Sequence, residues 1–347
     1  MRHVLVVRLD SMGDMLAAGP AIRAVAAGSD GVTVLAGPLG EAAARLLPGV
    51  DDVIGWACPW ILSPPPAVDP DEVNTVIAQL RAAAIDEAVI LTSFHQSPLP
   101  TALLLKMAGV RRVSAASEDY PGALLDVRLP TPGDAPEPVR MLEIAAGAGF
   151  LPPQDDDGRL AVRRPLPPVD LRTGGPYVVV HAGTSAPARA YPETGWLDAV
   201  GTLSAARWPV VLTGSMAERN LVARIAAGGG GAPVLDLAGK LDLAQLASVL
   251  DGAAAVAVAN TGPAHLAAAV GTPVVSLFAP VVPAVRWAPY GVPVVRLGDQ
   301  NAACRDTRSQ VCPVVGHPCL SRVTGAQILA AVEQLAPSRR PAPAARS

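Results

Sequence analysis

The chain has 347 residues, of which 50% are hydrophobic and 16% are charged, and its net charge is -3. This length is too great for one ordinary hydrophobic core and fits two α/β domains. Acidic and basic residues are spread along the chain, and the lack of a basic stripe argues against a nucleic-acid partner. No apolar run reaches the ~20 residues that span a bilayer, so we expect a cytoplasmic protein with at most peripheral contact at the inner face of the membrane.

Apolar runs of strand length alternate with helical patterns through the first half of the chain. Strands are predicted at residues 3–9, 32–36, 53–56, 87–92 and 112–115. Helices are predicted at residues 14–27, 39–47, 71–84, 98–108 and 137–148, with Pro20 an awkward member of the first. Such alternation is typical of a doubly wound parallel sheet.

Residues 151–176 are rich in Pro, Asp and Gly, and we interpret them as a linker followed by a strand that leads into a second domain. The alternation then restarts. Its strands are predicted at residues 177–181, 210–213, 234–237, 255–258 and 274–278. Its helices are predicted at residues 193–206, 216–227, 242–251, from 263 onwards and at 324–336.

The predicted fold is therefore α/β, with two doubly wound, Rossmann-like parallel-sheet domains that face a cleft. We place the first domain at residues 1–158, the second at 159–336, and a disordered Pro- and Arg-rich tail at 337–347. Ligands of such sheets bind beyond the carboxyl ends of the strands. Two facing domains suit a donor bound in one and an acceptor bound in the other.

The first candidate site follows the first strand, where Asp10, Ser11, Gly13 and Asp14 begin a helix. Gly13 lets the backbone turn tightly, and the carboxylate of Asp14 in the first helical turn can take a proton from an attacking hydroxyl group. The alternative is that Asp10, Ser11 or Asp14 only caps the helix. Taken alone, the motif favours the cap.

The second candidate site follows the strand at 177–181. Small and hydroxyl-bearing residues at a strand end can hold a phosphate group, and an arginine nearby can neutralise a diphosphate. The residues concerned are His181, Gly183, Thr184, Ser185 and Arg189. An ordinary turn with a surface arginine explains the same residues equally well.

The third candidate site is the segment from Asn260 to His265, at the start of a predicted helix. Thr261 is suited to the N-cap, Gly262 permits close approach of a ligand, and Pro263 fits the first helical position. The N–H groups of this helix start would face an anion. A single histidine is more often structural than functional, but His265 lies beside this phosphate cradle, which favours a contact with the donor.

Two further groups of residues have open interpretations. His95 and Ser97 follow the strand at 87–92 and are either acceptor-side contacts or an ordinary polar loop and helix cap. Cys304, Cys312 and Cys319 have irregular spacings for a zinc site, so we favour unliganded thiols and predict no metal site.

Four segments together resemble glycosyltransferase family 9, the family of the ADP-heptose:lipopolysaccharide heptosyltransferases. They are residues 7–25, 179–196, 210–225 and 260–280, and their order and spacing agree with the family. The resemblance covers nearly the whole chain, and the last segment, NTGPAHLAAAVGTPVVSLFAP, is the most specific. It implies a GT-B fold, an inverting mechanism and no requirement for a metal ion, and we also predict no cofactor.

The resemblance also assigns roles to individual residues. Asp14 matches the proposed general base of the family. Arg189 stands where the family often has a phosphate-binding lysine, and Glu218 matches an acid linked to the donor nucleoside.

In the last segment, Thr261, Gly262 and His265 match the loop that holds the donor diphosphate. The residue before the Thr-Gly pair is usually Asp in the family, whereas here it is Asn260. An amide keeps the hydrogen bonds and loses the charge, which puts the choice of donor or its affinity in question.

The leading hypothesis is an inverting glycosyltransferase that moves a sugar, heptose by resemblance, from a nucleotide-diphosphate donor such as ADP-heptose. The acceptor would be the hydroxyl group of a glycan, a lipid-linked glycan or a small molecule. Two alternatives are a sugar-nucleotide epimerase of the same fold and a nucleotide-sugar-binding protein without catalysis.

Overall fold

The structure, a computed structural model, describes residues 2–337. Residues 338–347, which form nearly all of the tail predicted to be disordered, lie outside the described residues. Contacts between Cα atoms divide the chain between Arg163 and Arg164 into two compact units.

The first unit contains a six-stranded parallel sheet in the order β3-β2-β1-β4-β5-β6. Its strands are β1 (His3–Arg8), β2 (Gly31–Ala36), β3 (Asp52–Gly55), β4 (Glu87–Ile90), β5 (Arg112–Ala116) and β6 (Val127–Leu129). Its helices are α1 (Met12–Ala17), α2 (Gly19–Ala27), α3 (Glu41–Leu46), α4 (Pro70–Ala82), α5 (Leu99–Met107) and α6 (Glu137–Gly147). The central strand β1 is buried almost throughout, as expected for a strand covered by helices on both faces.

The second unit repeats this arrangement in the order β12-β11-β10-β7-β8-β9. Its strands are β7 (Val178–His181), β8 (Val210–Thr213), β9 (Val234–Asp236), β10 (Ala255–Ala259), β11 (Val274–Leu277) and β12 (Val294–Leu297). Its α-helices are α7 (Glu193–Ala205), α8 (Arg219–Ala226), α9 (Leu243–Asp251), α10 (Gly262–Ala269), α11 (Ala284–Trp287), α12 (Pro318–Ser321) and α13 (Gly325–Leu335). Short 3₁₀ turns at Pro187–Arg189 and Met216–Glu218 follow β7 and β8.

Each sheet reverses its strand order at one point, and the candidate sites predicted from the sequence lie near these two points. In the first unit the order reverses between β1 and β4, and in the second between β7 and β10. Ligands of open α/β sheets bind beyond the carboxyl ends of the strands at such reversals. The prediction of two doubly wound parallel sheets is confirmed.

Three local expectations were wrong. The helix predicted at 14–27 is two helices, because Pro20 lacks an N–H group and stands in the first turn of a new helix, α2. The described residues 151–176 form no strand, and the apolar side chains of Leu160 and Val162 are buried from a loop instead. The edge strands β6 and β12 were missed, since one has three residues and the other is interrupted by the exposed Arg296.

Within the described residues, no helix is both long enough and apolar enough to cross a membrane.

Candidate active site

A buried arginine lies at the carboxyl end of β1. The Arg8 side chain is fully buried, and its Nη2 donates to Asp14 Oδ1 at 3.1 Å and lies 3.5 Å from Glu137 Oε1. Its Nε lies 3.2 Å from Asp10 Oδ2. One guanidinium thus meets three carboxylates, of which that of Glu137 is also fully buried.

The electrostatics of this cluster follow from burial and proximity. Burial alone would lower the pKa of Arg8, but the carboxylates of Asp10, Asp14 and Glu137 raise it, and the net shift is upward. Burial raises the pKa of Asp10, and the nearby charge of Asp14 adds to this, although Arg8 acts in the opposite direction. The arginine is therefore permanently charged and compensates acids that would otherwise repel one another.

Asp14 has the position of a helix cap and also contacts the buried Arg8. It is the third residue of α1, after the N-cap Ser11, whose backbone N–H and hydroxyl donate to Asp14 Oδ2 at 3.1 and 2.6 Å. Its other oxygen, Oδ1, faces Arg8. The carboxylate is thus held at both oxygens, while 16% of its side chain stays exposed, so capping and contact with a substrate are compatible.

The loop after β4 lies on the other side of the sheet reversal and supplies two hydrogen-bonding residues to the cluster around Arg8. Ser93 Oγ accepts from Arg8 Nη2 at 3.0 Å and donates to Asp10 Oδ2 at 3.3 Å. Gln96 Nε2 donates to Asp10 Oδ1 at 2.6 Å. Gly13 is buried in the first turn of α1. Asp10 was predicted as a site residue, but the partners that hold it were not predicted.

The residues that were not predicted differ in how strongly the sequence pattern indicates them. Arg8 is a charge at the end of an otherwise apolar strand, which is a usable sign of a buried ion pair. Glu137 begins a predicted helix far along the chain, and Ser93 and Gln96 lie in an irregular loop. Only the pairing of β1 with β4 brings that loop to Arg8.

His95 and Ser97 are exposed in the same loop, and both line a cavity of about 200 Å³ at the carboxyl ends of β4 and β5. Their role on the acceptor side stays a prediction. The cavity wall includes Ser93, which connects it to the buried cluster.

In the second unit, the ends of β7 and β8 meet. His181 Nδ1 lies 3.0 Å from Thr213 Oγ1. Burial lowers the pKa of His181, although the negative charge of Glu218 partly offsets this, so its imidazole is neutral at pH 7. A neutral buried imidazole forms hydrogen bonds without adding charge, and a contact of His181 with a ligand stays a prediction.

The Glu218 carboxylate fills the space that a side chain on residue 183 would need. A Cβ atom on Gly183 would lie 1.7 Å from Glu218 Oε1, so the carboxylate rests directly on the glycine. Glu218 Oε2 also accepts from the backbone N–H of Ser215 at 2.6 Å. The missing side chain at residue 183 is therefore the reason that Glu218 can lie beside the end of β7.

The reversal of the second sheet brings Asn260 next to Arg189. Arg189 Nη1 donates to the Asn260 backbone carbonyl at 3.3 Å. Asn260 is only 5% exposed, and neither Oδ1 nor Nδ2 of its amide has a hydrogen-bond partner among the described residues. Buried polar atoms without partners cost free energy, so the Asn260 amide at this strand end is a candidate to bind a ligand.

The start of α10 adjoins this amide. Thr261 is the N-cap in extended conformation, and its side chain makes no capping hydrogen bond. Gly262 and Pro263 are the first two helical residues, and His265 is buried one turn along the helix. The arrangement leaves the Thr261 hydroxyl and the positive end of the helix for an anion.

Thr184 and Ser185 lie in the turn after β7. Thr184 Oγ1 accepts from the Ala186 backbone N–H at 3.4 Å, and Ser185 is exposed. These two residues have the positions that a phosphate cradle needs, and their contact with a ligand stays a prediction.

The comparisons with known proteins agree with this geometry. The sequence profile of glycosyltransferase family 9 (heptosyltransferase) matches residues 123–315, more than half of the chain. The chain belongs to this family.

Two relatives in family 9 align with part of the chain. Lipopolysaccharide heptosyltransferase 1 of Pseudomonas aeruginosa is 41% identical over 144 residues, which are 41% of this chain and 39% of that protein. Lipopolysaccharide heptosyltransferase 3 of Escherichia coli is 31% identical over 170 residues, 48% of each chain. The chain spans less than half the length of these relatives in the alignments.

Solved family 9 structures match nearly the whole chain. The structure of Escherichia coli ADP-heptose lipopolysaccharide heptosyltransferase II has a TM-score of 0.72 at 20% identity. The match includes 97% of this chain and 99% of that one. The family 9 enzyme of Veillonella parvula has a TM-score of 0.75 at 12% identity, with 97% of both chains covered. At these identities the likeness concerns the fold, and it confirms the GT-B class that the family resemblance implied.

The cysteines of this family 9 chain are free thiols. Burial raises the pKa of Cys319 to about 12, and it also raises that of Cys304, which lies beside Cys312 and Cys319. Among the described residues, no group of three or more His, Cys, Asp or Glu side chains is arranged to hold a metal ion.

Replacing Arg8 by Met should destabilise the first unit strongly. The change leaves the carboxylates of Asp10, Asp14 and Glu137 without their central cation, and breaking a buried ion pair costs about 3–5 kcal/mol. The loss should shrink as the pH falls, because protonation then removes the uncompensated charges. Denaturant unfolding at several pH values measures this, with Arg172→Ala, at an exposed ion pair, as the control. Equal stability of Arg8→Met and its parent at neutral pH would contradict the role given to Arg8.

Replacing Gly183 by Ala should expel the Glu218 carboxylate from its place. The hydrogen bond from Ser215 N–H is then lost, at a cost of about 1 kcal/mol, and the melting temperature should fall by a few degrees. The matched control is Gly175→Ala, because an added Cβ there meets nothing within 4 Å. If both variants melt alike, the carboxylate adapts without loss and the constraint is unimportant.

Proposed function

We propose that this family 9 member transfers a sugar, heptose, from a nucleotide-diphosphate donor such as ADP-heptose to an acceptor hydroxyl group, with inversion. The observation that carries the proposal is the buried amide of Asn260 at the reversal of the second sheet, which has no hydrogen-bond partner in the described part of the chain. Its relatives named lipopolysaccharide heptosyltransferases support the choice of sugar. So does the fold shared with an Escherichia coli heptosyltransferase whose structure holds ADP-2-deoxy-2-fluoro heptose.

The second unit is proposed to bind the donor. Arg189, the Thr261 hydroxyl and the start of α10 would receive the diphosphate, with the Asn260 amide completing the contacts. A permanently charged guanidinium and a helix N-terminus stabilise the negative charge that develops on a departing diphosphate. This set supplies the stabilisation from protein groups, so we propose transfer without a metal ion or cofactor. We propose that Glu218 contacts the nucleoside of the donor.

The first unit is proposed to activate the acceptor. The Asp14 carboxylate takes the proton of the attacking hydroxyl group, whose oxygen forms a bond to the anomeric carbon. The bond from that carbon to the diphosphate oxygen breaks, and the electron pair leaves with the nucleoside diphosphate. Attack from the face opposite the leaving group inverts the anomeric configuration. Arg8 and Ser11 act as positioning residues, since each holds one oxygen of the base.

The remaining expectations are part of this proposal. The two domains would divide near residues 151–176, with Asp10, Ser11, Gly13, His95 and Ser97 on the acceptor side. The acceptor would be a glycan, a lipid-linked glycan or a small molecule, met in the cytoplasm or at the inner face of the membrane. Membership of family 9 favours transfer over epimerisation, and turnover separates transfer from binding alone.

Replacing Asp14 by Asn should remove turnover and leave donor binding nearly unchanged. The amide can keep a capping oxygen but has no useful basicity, so the transfer rate should fall by roughly 10²-fold or more. Release of ADP from ADP-heptose with a panel of acceptors measures the rate, and calorimetry measures donor affinity. The control is Asp69→Asn, because Asp69 caps α4 by accepting from Asp71 N–H and lies outside the site. Turnover within a few-fold of the parent would make Asp14 a cap only.

Replacing Asn260 by Ala should weaken donor binding without destabilising the free protein. The amide has no described protein partner, so its removal breaks no internal hydrogen bond, whereas the donor loses one or two. We expect the Kd for ADP to rise by about tenfold and the melting temperature of the free protein to stay constant or rise. The exposed Asn301→Ala variant is the control. An unchanged Kd for ADP would remove the support for a donor site at β10.

A further inference from the structure

The long loop between β12 and α12 contributes no residue to the proposed chemistry. It comprises residues 298–317, and we call it the cysteine loop because it carries Cys304 and Cys312. Its inner side belongs to the hydrophobic core of the second unit, in which Cys304 is buried. The Cys304 thiol hydrogen-bonds with those of Cys312 and Cys319. The cysteine loop is therefore anchored from within the unit.

The backbone of the cysteine loop includes three residues in the left-handed region that favours glycine. They are Asp306, Arg308 and His317, whose φ angles are 57°, 56° and 49°. A residue other than glycine stays in this region only where the surrounding contacts hold it there, and such strain is concentrated at functional sites. The contacts of the cysteine loop therefore indicate what the loop is for.

One set of contacts joins the cysteine loop to the end of β11. The backbone N–H groups of Asp306 and Arg308 donate to the carbonyl groups of Pro280 and Val281, at 2.8 and 2.7 Å. Two of the strained residues thus make the hydrogen bonds that attach the loop to the carboxyl edge of the sheet, where the donor is proposed to bind.

A second set of contacts holds Ala188, the neighbour of Arg189 in the chain. The backbone carbonyl of Gln310 accepts from the Ala188 N–H at 2.9 Å. The imidazole of His317, the third strained residue, hydrogen-bonds to the backbone of Ala188. Ala188 itself is fully buried in the 3₁₀ turn Pro187–Arg189. Two groups of one loop thus fix the backbone next to Arg189.

The turn that carries Arg189 has little structure of its own. It has only three residues, and such short 3₁₀ turns have poor internal hydrogen-bond geometry. Burial lowers the pKa of His317, although its hydrogen bond to Ala188 acts in the opposite direction, so the imidazole is neutral at pH 7. His317 can therefore hold the turn without adding a charge that competes with Arg189 for an anion.

We propose that the cysteine loop positions Arg189 for the diphosphate of the donor, and that His317 is a positioning residue of this site. The inference rests on the proposed function, which assigns the diphosphate to Arg189. The loop acts through the backbone of Ala188. A turn that is fixed in advance loses less conformational freedom when the ligand binds, and this increases affinity.

The test replaces His317 by Gly, which keeps the left-handed backbone and removes the imidazole. We expect His317→Gly to raise the Kd for ADP by roughly fivefold and to leave the Kd for adenosine unchanged, because only ADP carries the diphosphate. Calorimetry or NMR titration of the full chain measures both constants. The matched control is Arg207→Gly, at an exposed residue of the same unit with a φ of 70°, which should change neither Kd.

A double-mutant cycle with Arg189→Ala separates positioning from a general loosening of the unit. Arg189→Ala alone should raise the Kd for ADP by about tenfold or more. In that background His317→Gly should cause no further loss, because no guanidinium remains to be positioned. Amide hydrogen exchange tests the hold itself without any ligand, and exchange at Ala188 should be roughly fivefold faster in His317→Gly.

The outcomes distinguish the inference from the function on which it rests. An unchanged exchange rate at Ala188, an equal loss of ADP and adenosine affinity, or full additivity with Arg189→Ala would overturn the inference. If Arg189→Ala weakens ADP binding and His317→Gly does not, the inference alone is wrong. If Arg189→Ala leaves the Kd for ADP unchanged while His317→Gly speeds exchange, the loop holds the turn as described and the proposed donor site is wrong.

Discussion

The site in the first unit depends on one buried positive charge. The guanidinium of Arg8 has no access to solvent, and its position is tolerable only because Asp10, Asp14 and Glu137 surround it. The carboxylates in turn need Arg8, since three acids so close together would otherwise repel each other. Each member of the cluster therefore fixes the others, and the carboxylate of Asp14 is held ready before any substrate binds.

The second unit has far less buried charge at the reversal of its sheet than the first unit has. At the matching reversal of its sheet, His181 is neutral and Asn260 is an amide. The positive groups are the partly buried Arg189 and the start of α10. This difference is consistent with the proposed roles, because a diphosphate brings its own negative charge whereas an acceptor hydroxyl brings none. Carboxylates that are held in place before binding suit the proposed activation of an acceptor hydroxyl. Hydrogen-bond donors that are not yet paired suit the proposed binding of a diphosphate.

The sequence was a sound guide to the sheets and a partial guide to the sites. Buried parallel strands such as β1 and β10 are continuous apolar runs, and their residues were predicted to within one or two positions. Motifs that follow such strands, at Asp10–Asp14 and Asn260–His265, were found for the same reason. Ser93, Gln96, Glu137 and Arg140 were not found, because no local pattern relates them to Arg8. Their role is created by strand order and by the packing of α6, which periodicity does not reveal.

The shared space of Gly183 and Glu218 links two positions that lie 35 residues apart in the chain. A side chain at residue 183 requires the Glu218 carboxylate to leave the position that it has in this structure. Changes at the two positions should therefore appear together across natural family 9 sequences, with a larger residue at the first accompanied by a shorter or neutral one at the second. Relatives that keep both residues would share the same wall at the end of β7, and those that lose both would mark branches in which the proposed nucleoside contact has been rebuilt.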